Sequence, residues 1–165
     1  MRIEILIGDI TKQVDVDAVI NSANSNLRFG SGVAGAIHKI AGPDLEKFCQ
    51  QYAPISKGAA VITPGFNLPN KWVIHTVAAS FIHDEDADQI LELAIDSALN
   101  LAVKHEIRSI AMPAIGTGVF KCSDDLCASI TKKVLAKYAD SKIEHVRICV
   151  GSEKTASSFY RIFGS

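Results

Sequence analysis

The sequence lacks the features that mark membrane, secreted and duplex-binding proteins. No apolar run approaches the roughly 20 residues of a membrane-spanning helix, and the first residues have the pattern of a strand rather than of a signal peptide. The formal net charge is only −1, and lysine and arginine form no basic stripe. These absences predict a cytoplasmic protein without a membrane partner and without a strong nucleic-acid footprint.

Cysteine is also scarce and shows no pairing pattern. The four cysteines, Cys49, Cys122, Cys127 and Cys149, form no Cys-x-x-Cys motif and no zinc-like group with histidine. The sequence therefore predicts reduced, packed thiols, no metal and no cofactor. A nucleophilic role for Cys122 or Cys127 has no neighbouring base in the sequence to support it.

The residues that are present suit one ordinary globular domain. With 165 residues and 48% hydrophobic content, the chain is long enough for one sizeable core and short for two. No linker, repeat or low-complexity segment divides it. We therefore expect a single domain over residues 1–165, and we expect it to be a monomer.

Strand and helix patterns alternate along the chain. Apolar alternation and apolar runs predict strands at residues 2–7, 14–20, 59–63, 72–77, 109–112 and 146–150. Helical spacing predicts helices from Val33 to Ala41, from Pro43 to Tyr52, from Ile90 to Ala102, from Ser123 to Tyr138 and from Glu153 to Phe163. This order predicts parallel β-α-β units and a mostly parallel sheet with helices on both faces.

A polar, glycine-rich stretch over residues 21–35 lies between the second strand and the first helix. Gly30 and Gly32 can adopt backbone angles closed to other residues. A helix that starts near Gly32 or Val33 directs unpaired N–H groups and the positive end of its dipole at the loop, where an anion such as phosphate fits best. The alternative is a flexible strand-to-helix turn without a ligand.

Two other segments also follow predicted strands. They are Asp9 and a second glycine-rich loop, residues 113–120. Ligands of such sheets sit beyond the carboxyl ends of the strands, so these segments can converge on one crevice with the first loop. Two amide-rich loops and a carboxylate suit a nucleotide with a diphosphate, the carboxylate accepting from an amine on the base. Alternatively, Asp9 simply caps the turn after the first strand.

Five motifs, in order and spacing, resemble the macro domain family. They are Gly8-Asp9-Ile10-Thr11, Val19-Ile20-Asn21-Ser22-Ala23-Asn24, Gly30-Ser31-Gly32-Val33-Ala34-Gly35-Ala36-Ile37, His75-Thr76-Val77 and Pro113-Ala114-Ile115-Gly116-Thr117-Gly118-Val119-Phe120. The resemblance implies a three-layer α/β/α sandwich with a central mixed, mostly parallel sheet. It also implies that ADP-ribose or an ADP-ribosylated protein is the partner. The implied activity is hydrolysis of mono-ADP-ribosyl esters on acidic side chains or of O-acetyl-ADP-ribose, and the alternative is a non-catalytic module that only binds ADP-ribose.

The resemblance also implies individual roles. Asp9 would accept from the adenine amino group, and Asn24 would hold the distal ribose. Residues 30–33 and 116–120 would flank the diphosphate. Asn24, Gly32 and Phe120 would act in catalysis. The full implied ligand-binding set is Gly8, Asp9, Ile10, Asn21, Ala23, Asn24, Gly30, Ser31, Gly32, Val33, Ala34, Pro113, Ala114, Ile115, Gly116, Thr117, Gly118, Val119 and Phe120.

Two residues depart from the family pattern. Ala34 stands where many hydrolytic members have an aspartate, and Gly151 stands where relatives often have an aromatic residue that stacks on adenine. Without that aspartate as a partner, His38 is expected on the helix surface, with a direct catalytic role as the alternative. His75, within a strand pattern, is expected to be a hydrogen-bonded core or rim histidine. Phe120 is expected to shield the distal ribose, with ordinary core packing as the alternative.

Overall fold

Strands and helices alternate as the sequence predicts. The computed structural model describes residues 1–164, so Ser165, the last residue of the predicted domain, lies outside the described residues. The strands are β1 (Arg2–Ile7), β2 (Ala18–Ser22), β3 (Ala60–Pro64), β4 (Trp72–Thr76), β5 (Ser109–Pro113) and β6 (His145–Val150). The helices are α1 (Gly32–Ala41), α2 (Pro43–Cys49), α3 (Ala87–Lys104), α4 (Asp124–Ala136) and α5 (Glu153–Phe163), and a short 3₁₀-helix, Ile10–Lys12, follows β1.

The strands form one mixed, mostly parallel sheet in the order β1-β6-β5-β2-β4-β3. All neighbouring pairs are parallel except β3 and β4, which are antiparallel. A short connection joins these two strands, as antiparallel neighbours allow. Gly65 begins that connection, and a Cβ there would lie 2.0 Å from the backbone oxygen of Asn70, so the tight turn requires glycine.

Helices cover both faces of the sheet, which confirms the three-layer sandwich. Ile20 and Ile74 face a core that also contains buried residues of α3, α4 and α5. Val19 and Val73, next to them in β2 and β4, face a second core formed with α1 and α2. Successive strand residues point to opposite faces, so the apolar ends of the central strands are buried on both sides.

Most element boundaries match the sequence patterns. Helix α1 begins at Gly32, α2 begins with Pro43 in its first turn, and α5 spans the predicted residues. Ser123 and Ser152 each cap a helix with the side-chain oxygen, as serine favours at N-caps. Helix α4 ends at Ala136, two residues before the predicted end, and α2 ends at Cys49 rather than at Tyr52. The strand predicted over residues 14–20 is wrong at its start, because residues 14–17 form a turn and a bend and β2 begins at Ala18.

The predicted state of the cysteines is confirmed. Cys49, Cys122, Cys127 and Cys149 are all free and buried. Within residues 1–164, no helix is long and apolar enough to cross a membrane.

Candidate functional site

A cavity opens where β2 and β5 part at the carboxyl edge of the sheet. These strands are neighbours, but register pairs join them only at Ala18 with Ile110 and at Val19 with Ala111. The chain then continues into α1 on one face and into α4 on the other. Such a point, beyond the strand ends, is where open α/β sheets bind ligands. The cavity has a volume of about 360 Å³.

Among the described residues, no ionisable side chain lines the walls of the cavity. They come from the end of β2 and its following loop, the first turn of α1 and the loop after β5. Within residues 1–164, the lining residues are Ser22, Ala23, Asn24, Gly30, Ser31, Gly32, Val33, Ala34, Ala114, Gly116, Thr117, Gly118, Val119 and Phe120. An anion in this cavity would therefore be held by main-chain N–H groups and by the helix dipole.

The first wall is the amino end of α1. Gly32 has φ of +58°, and Ser31 makes no side-chain capping bond. The first helical hydrogen bond runs from the N–H of Gly35 to the oxygen of Ser31 at 3.2 Å. In the described part of the chain, the N–H groups of residues 32–34 have no acceptor. A Cβ at Gly35 would lie 2.4 Å from the oxygen of Gly30, so glycine is needed where the loop packs against the helix.

The second wall is the loop after β5. Gly116 has φ of +89°, and its oxygen accepts from the N–H of Cys122 at 2.8 Å, which closes the loop. Among residues 1–164, the N–H groups of residues 118–120 have no acceptor. Phe120 lines the cavity and also packs against the core of α3, α4 and α5. The position of Phe120 is therefore compatible with both expectations, namely that its ring shields the distal ribose and that it packs in the core.

Asn24 is held rigidly at the cavity edge. Its Nδ2 donates to the oxygen of Arg28 at 2.8 Å, and its Oδ1 accepts from the N–H of Arg28 at 3.0 Å. An amide has two N–H bonds and two oxygen lone pairs, so one donor and one acceptor position remain for a ligand. The two hydrogen bonds to Arg28 thus fix the orientation of the Asn24 amide before a ligand binds.

Asp9 caps the turn after β1, as the simpler alternative predicts. Its Oδ1 accepts from the N–H of Thr11 at 2.9 Å and from the hydroxyl of Thr11 at 2.6 Å. These bonds, first the hydroxyl and then the amide, hold the pKa of Asp9 below its usual value. Asp9 is exposed and its second oxygen is not used in these bonds. A role in adenine binding stays a prediction.

Several predicted ligand residues lie outside the cavity. Gly8 and Ile10 flank Asp9 at the end of β1, two strands away from β5, and Ile10 is buried in the core of α1 and α2. Asn21 and Ile115 are fully buried and Pro113 is buried, and none of the three is among the residues that line the cavity. Asn21 lies within β2, Pro113 ends β5, and Ile115 lies in the loop after β5 and is part of the core with α3, α4 and α5.

Asn21 and His75 form a buried polar pair across β2 and β4. Thr63 donates its hydroxyl to the oxygen of Pro64, so its Oγ1 accepts from Nε2 of His75 at 2.9 Å. Nδ1 of His75 then accepts from Nδ2 of Asn21 at 3.0 Å. Burial, with a smaller effect of His38, lowers the pKa of His75 to about 3, which keeps this tautomer neutral. The prediction of a hydrogen-bonded core histidine is confirmed.

The prediction that His38 lies on the helix surface is wrong. Its side chain is only 4% exposed, because the buried stripe of α1 is Ala34, Ile37, His38 and Ala41. The ring lies between those of Phe29 and His75, with both centroid distances 6.3 Å. Burial lowers its pKa, so His38 is neutral at pH 7. Among the described residues, neither ring nitrogen has a hydrogen-bond partner.

Ser22 also lines the cavity and was not among the predicted residues. Ser22 ends β2 and follows Asn21. Because successive strand residues point to opposite faces, the burial of Asn21 implies that Ser22 points to the other side, and this alternation could have identified it.

The two cysteines that follow the second glycine-rich loop are poor nucleophiles. Burial raises the pKa of Cys122 to about 11 and of Cys127 to about 12, so neither carries a thiolate at neutral pH. In the part of the chain that the structure describes, no three His, Cys, Asp or Glu residues are grouped to hold a metal ion.

The comparisons with known proteins agree with this geometry. The family model for the macro domain matches residues 20–131. The O-acetyl-ADP-ribose deacetylase of Escherichia fergusonii is 44% identical over 142 residues, which cover 83% of this chain and 80% of that protein. The ADP-ribose glycohydrolase MACROD1 of Bos taurus is 40% identical over 158 residues, 93% of this chain but 48% of that protein. The chain thus spans about half the length of MACROD1.

A solved structure agrees over nearly the whole chain. The Oceanobacillus iheyensis macrodomain with ADP superposes with a TM-score of 0.92 at 31% identity, covering 98% of this chain and 89% of that one. The sheet order, the two-walled cavity and these matches lead to one conclusion. The chain belongs to the macro domain family.

Proposed function

We propose that the cavity binds ADP-ribose and that the protein is an ADP-ribosyl hydrolase. Its substrates would be mono-ADP-ribosyl esters on acidic side chains and O-acetyl-ADP-ribose. The names of two relatives, an O-acetyl-ADP-ribose deacetylase and an ADP-ribose glycohydrolase, support this proposal. The observation that carries it is a cavity between two loops whose lining residues offer unpaired N–H groups and no charged side chain.

The diphosphate would lie between the two walls. N–H groups of residues 32–34 and 118–120 would donate to its oxygens, with the dipole of α1 adding to the attraction. The adenine would extend along the sheet edge toward Asp9. Two strand spacings, about 10 Å, separate β5 from β1, which leaves room for the adenosine. The unused oxygen of Asp9 would accept from the adenine amino group.

The distal ribose would lie at the other end, against Asn24. The remaining N–H and lone pair of the Asn24 amide would bind ribose hydroxyls, and Phe120 would shield the ester from bulk solvent. A water then cleaves the ester, giving a free carboxylic acid and restoring the ribose hydroxyl. Positioning of this kind lowers a barrier by several kcal/mol.

The proton of the attacking water needs an acceptor. Ala34 offers none, so we assign this role to a phosphate oxygen of the substrate, bent back toward the distal ribose. A missing general base costs about 10²–10⁴-fold in rate. The expected enzyme is therefore slow, and its chemistry uses no metal ligand from the chain.

The second candidate is a module that binds ADP-ribose without turnover. Ala34, in the first turn of α1 and on the cavity wall, favours it because no carboxylate stands near the ribose end. The single domain, the monomeric state and the cytoplasmic location expected from the sequence also stay predictions.

One experiment separates the two candidates. The protein is incubated with a protein carrying labelled mono-ADP-ribose on acidic residues, and label loss is followed over hours beside calorimetric binding of ADP-ribose. Slow loss of label supports the hydrolase. An intact ester together with tight ADP-ribose binding supports the binding module. Absence of both hydrolysis and ADP-ribose binding contradicts the proposed site.

A further inference from the structure

A second cavity lies near the first, between the loop before α1, the second half of α1 and the start of α2. It has a volume of about 310 Å³ and is lined by Phe29, His38, Lys39, Gly42, Pro43 and Glu46. Phe29 directly precedes Gly30, which lines the first cavity, and His38 lies one helical turn after Ala34, which also lines it. Four residues of α-helix rise about 6 Å, so the two cavities are close neighbours.

His38 is the least satisfied group beside this second cavity. Its side chain is 4% exposed, and within residues 1–164 neither of its ring nitrogens has a partner. A neutral imidazole always has one donor and one acceptor nitrogen, and leaving them unpaired in a buried place is costly. Both nitrogens are closed off from solvent, so a partner in the second cavity would remove that cost only after the ring turns toward it.

Glu46 and Phe29 supply the other recognition groups. Oε1 of Glu46 accepts from the N–H of Phe29 at 2.7 Å, which fixes the carboxylate beside the aromatic ring. The Phe29 side chain is 59% exposed although its ring is large and apolar. An aromatic face, a carboxylate and an acceptor nitrogen together attract a cation with several N–H donors.

We propose that the second cavity binds an arginine or lysine side chain of the ADP-ribosylated protein, about two residues from the modified acid. This inference rests on the proposed function. Two residues of extended peptide span about 7 Å, similar to the rise of about 6 Å from Ala34, which lines the first cavity, to His38, which lines the second. The guanidinium or ammonium group lies against the ring of Phe29 and donates to the second oxygen of Glu46 and, once the His38 ring turns toward the cavity, to His38. The modified side chain meanwhile occupies the first cavity.

Lys39 is the one lining group that opposes a cation. It is exposed, so water screens its charge and its long side chain can turn away. An acidic partner side chain, in contrast, would meet the carboxylate of Glu46 beside Phe29. The cavity therefore favours a basic over an acidic neighbour of the modified residue.

The test uses three peptides that carry mono-ADP-ribose on the same glutamate. The peptides differ only at the positions two residues before and two residues after the modified glutamate. Both positions hold arginine in the first peptide, its uncharged isostere citrulline in the second, and glutamate in the third. Specificity is measured as kcat/KM where the ester is hydrolysed and as Kd where it is not. The wild-type protein is expected to favour the arginine peptide over the citrulline peptide by about three- to tenfold.

Glu46→Gln should abolish that preference, because glutamine can still accept from the N–H of Phe29 but carries no charge. Asp44→Asn is the matched control, since Asp44 lies on the same helix outside the cavity and its loss should leave the preference intact. Phe29→Leu should reduce the preference through loss of the ring.

O-acetyl-ADP-ribose carries no peptide and tests the proposed function separately. Its hydrolysis should be equal in wild-type protein and Glu46→Gln. Equal specificity for the arginine and citrulline peptides in the wild type overturns the inference. So does a preference that persists in Glu46→Gln, or a preference for the glutamate peptide, whether or not the ester is hydrolysed.

Discussion

Replacing Gly32 tests the main-chain anion site directly. A Cβ at Gly32 would have no heavy atom within 4 Å, so the space in front of it is open. Gly32→Glu places a carboxylate there, in the position that the diphosphate would occupy. Two unit charges about 4 Å apart repel by about 4 kcal/mol at the effective dielectric constant of a protein surface. That repulsion corresponds to roughly a thousandfold loss of ADP-ribose affinity.

Backbone strain has to be separated from charge. Gly32 has φ of +58°, and any other residue in that region costs about 1–2 kcal/mol. Gly32→Ala carries the strain with only a methyl group, and Gly32→Gln carries the strain and the volume of glutamate without its charge. All three variants should therefore lose similar stability, visible as a Tm lowered by a few degrees for a chain of this size.

Calorimetric titration with ADP-ribose then isolates the charge. Gly32→Ala should keep most of the affinity, Gly32→Gln should lose part of it by filling space, and Gly32→Glu should bind about 10²–10³-fold more weakly than Gly32→Gln. Added salt should narrow that last difference. Equal affinities of the folded glutamate and glutamine variants would place the diphosphate somewhere other than the amino end of α1.

Three further changes test the rest of the site and the core. Asp9→Asn should keep the capping bond and stability, whereas Asp9→Ala should lose about 1 kcal/mol of stability. Both should weaken ADP-ribose binding by roughly 1–3 kcal/mol, and unchanged calorimetric affinity would remove Asp9 from the site. Asn24→Ala should lower kcat by about 10²-fold and affinity much less; equal losses would mean that Asn24 only binds. Between pH 6.5 and about 3, the unfolded chain binds a proton at His75 that the folded protein does not, so stability should fall by about 1.4 kcal/mol per pH unit as the pH drops. In urea unfolding between pH 7 and pH 5, the free energy of unfolding should fall less steeply for His75→Gln than for the wild type, whereas the exposed control His83→Gln should fall as steeply as the wild type. Equal slopes for His75→Gln and the wild type would contradict the lowered pKa of His75.

Local sequence signals account for most of the fold. The apolar run of β2 and the helical spacing of α3 depend on burial, which is what periodicity reports. Alternation also predicts β1, although Ile3 and Ile7 of this edge strand are exposed. The antiparallel β3 follows from a short connection to β4. The strand order and the early end of pairing between β2 and β5 depend on contacts distant in sequence, so no local pattern predicts them.

Helix α1 shows how a small or polar residue can hide a buried stripe. The apolar positions that predict this helix are Val33, Ala36, Ile37, Ile40 and Ala41; Ile37 and Ala41 are buried, yet Ile40 is exposed. The buried residues instead recur at i, i+3, i+4 and i+7 from Ala34 and include His38. Alanine at the first position and histidine at the third carry little hydrophobic signal, although the spacing is that of a packed helix face. The error about His38 follows from this.

The two cavities differ in how far a sequence can reveal them. The first is formed largely by main chain. A positive φ or a close approach of two backbone segments requires glycine, so this cavity is visible in the sequence at Gly32, Gly35 and Gly116. The second is made of side chains from a loop, α1 and α2, and no spacing connects Phe29, His38 and Glu46. Substitutions of these side chains leave the glycines of the first cavity in place. We therefore expect them to alter the proposed choice among protein substrates at the second cavity while the proposed ADP-ribose binding at the first is retained.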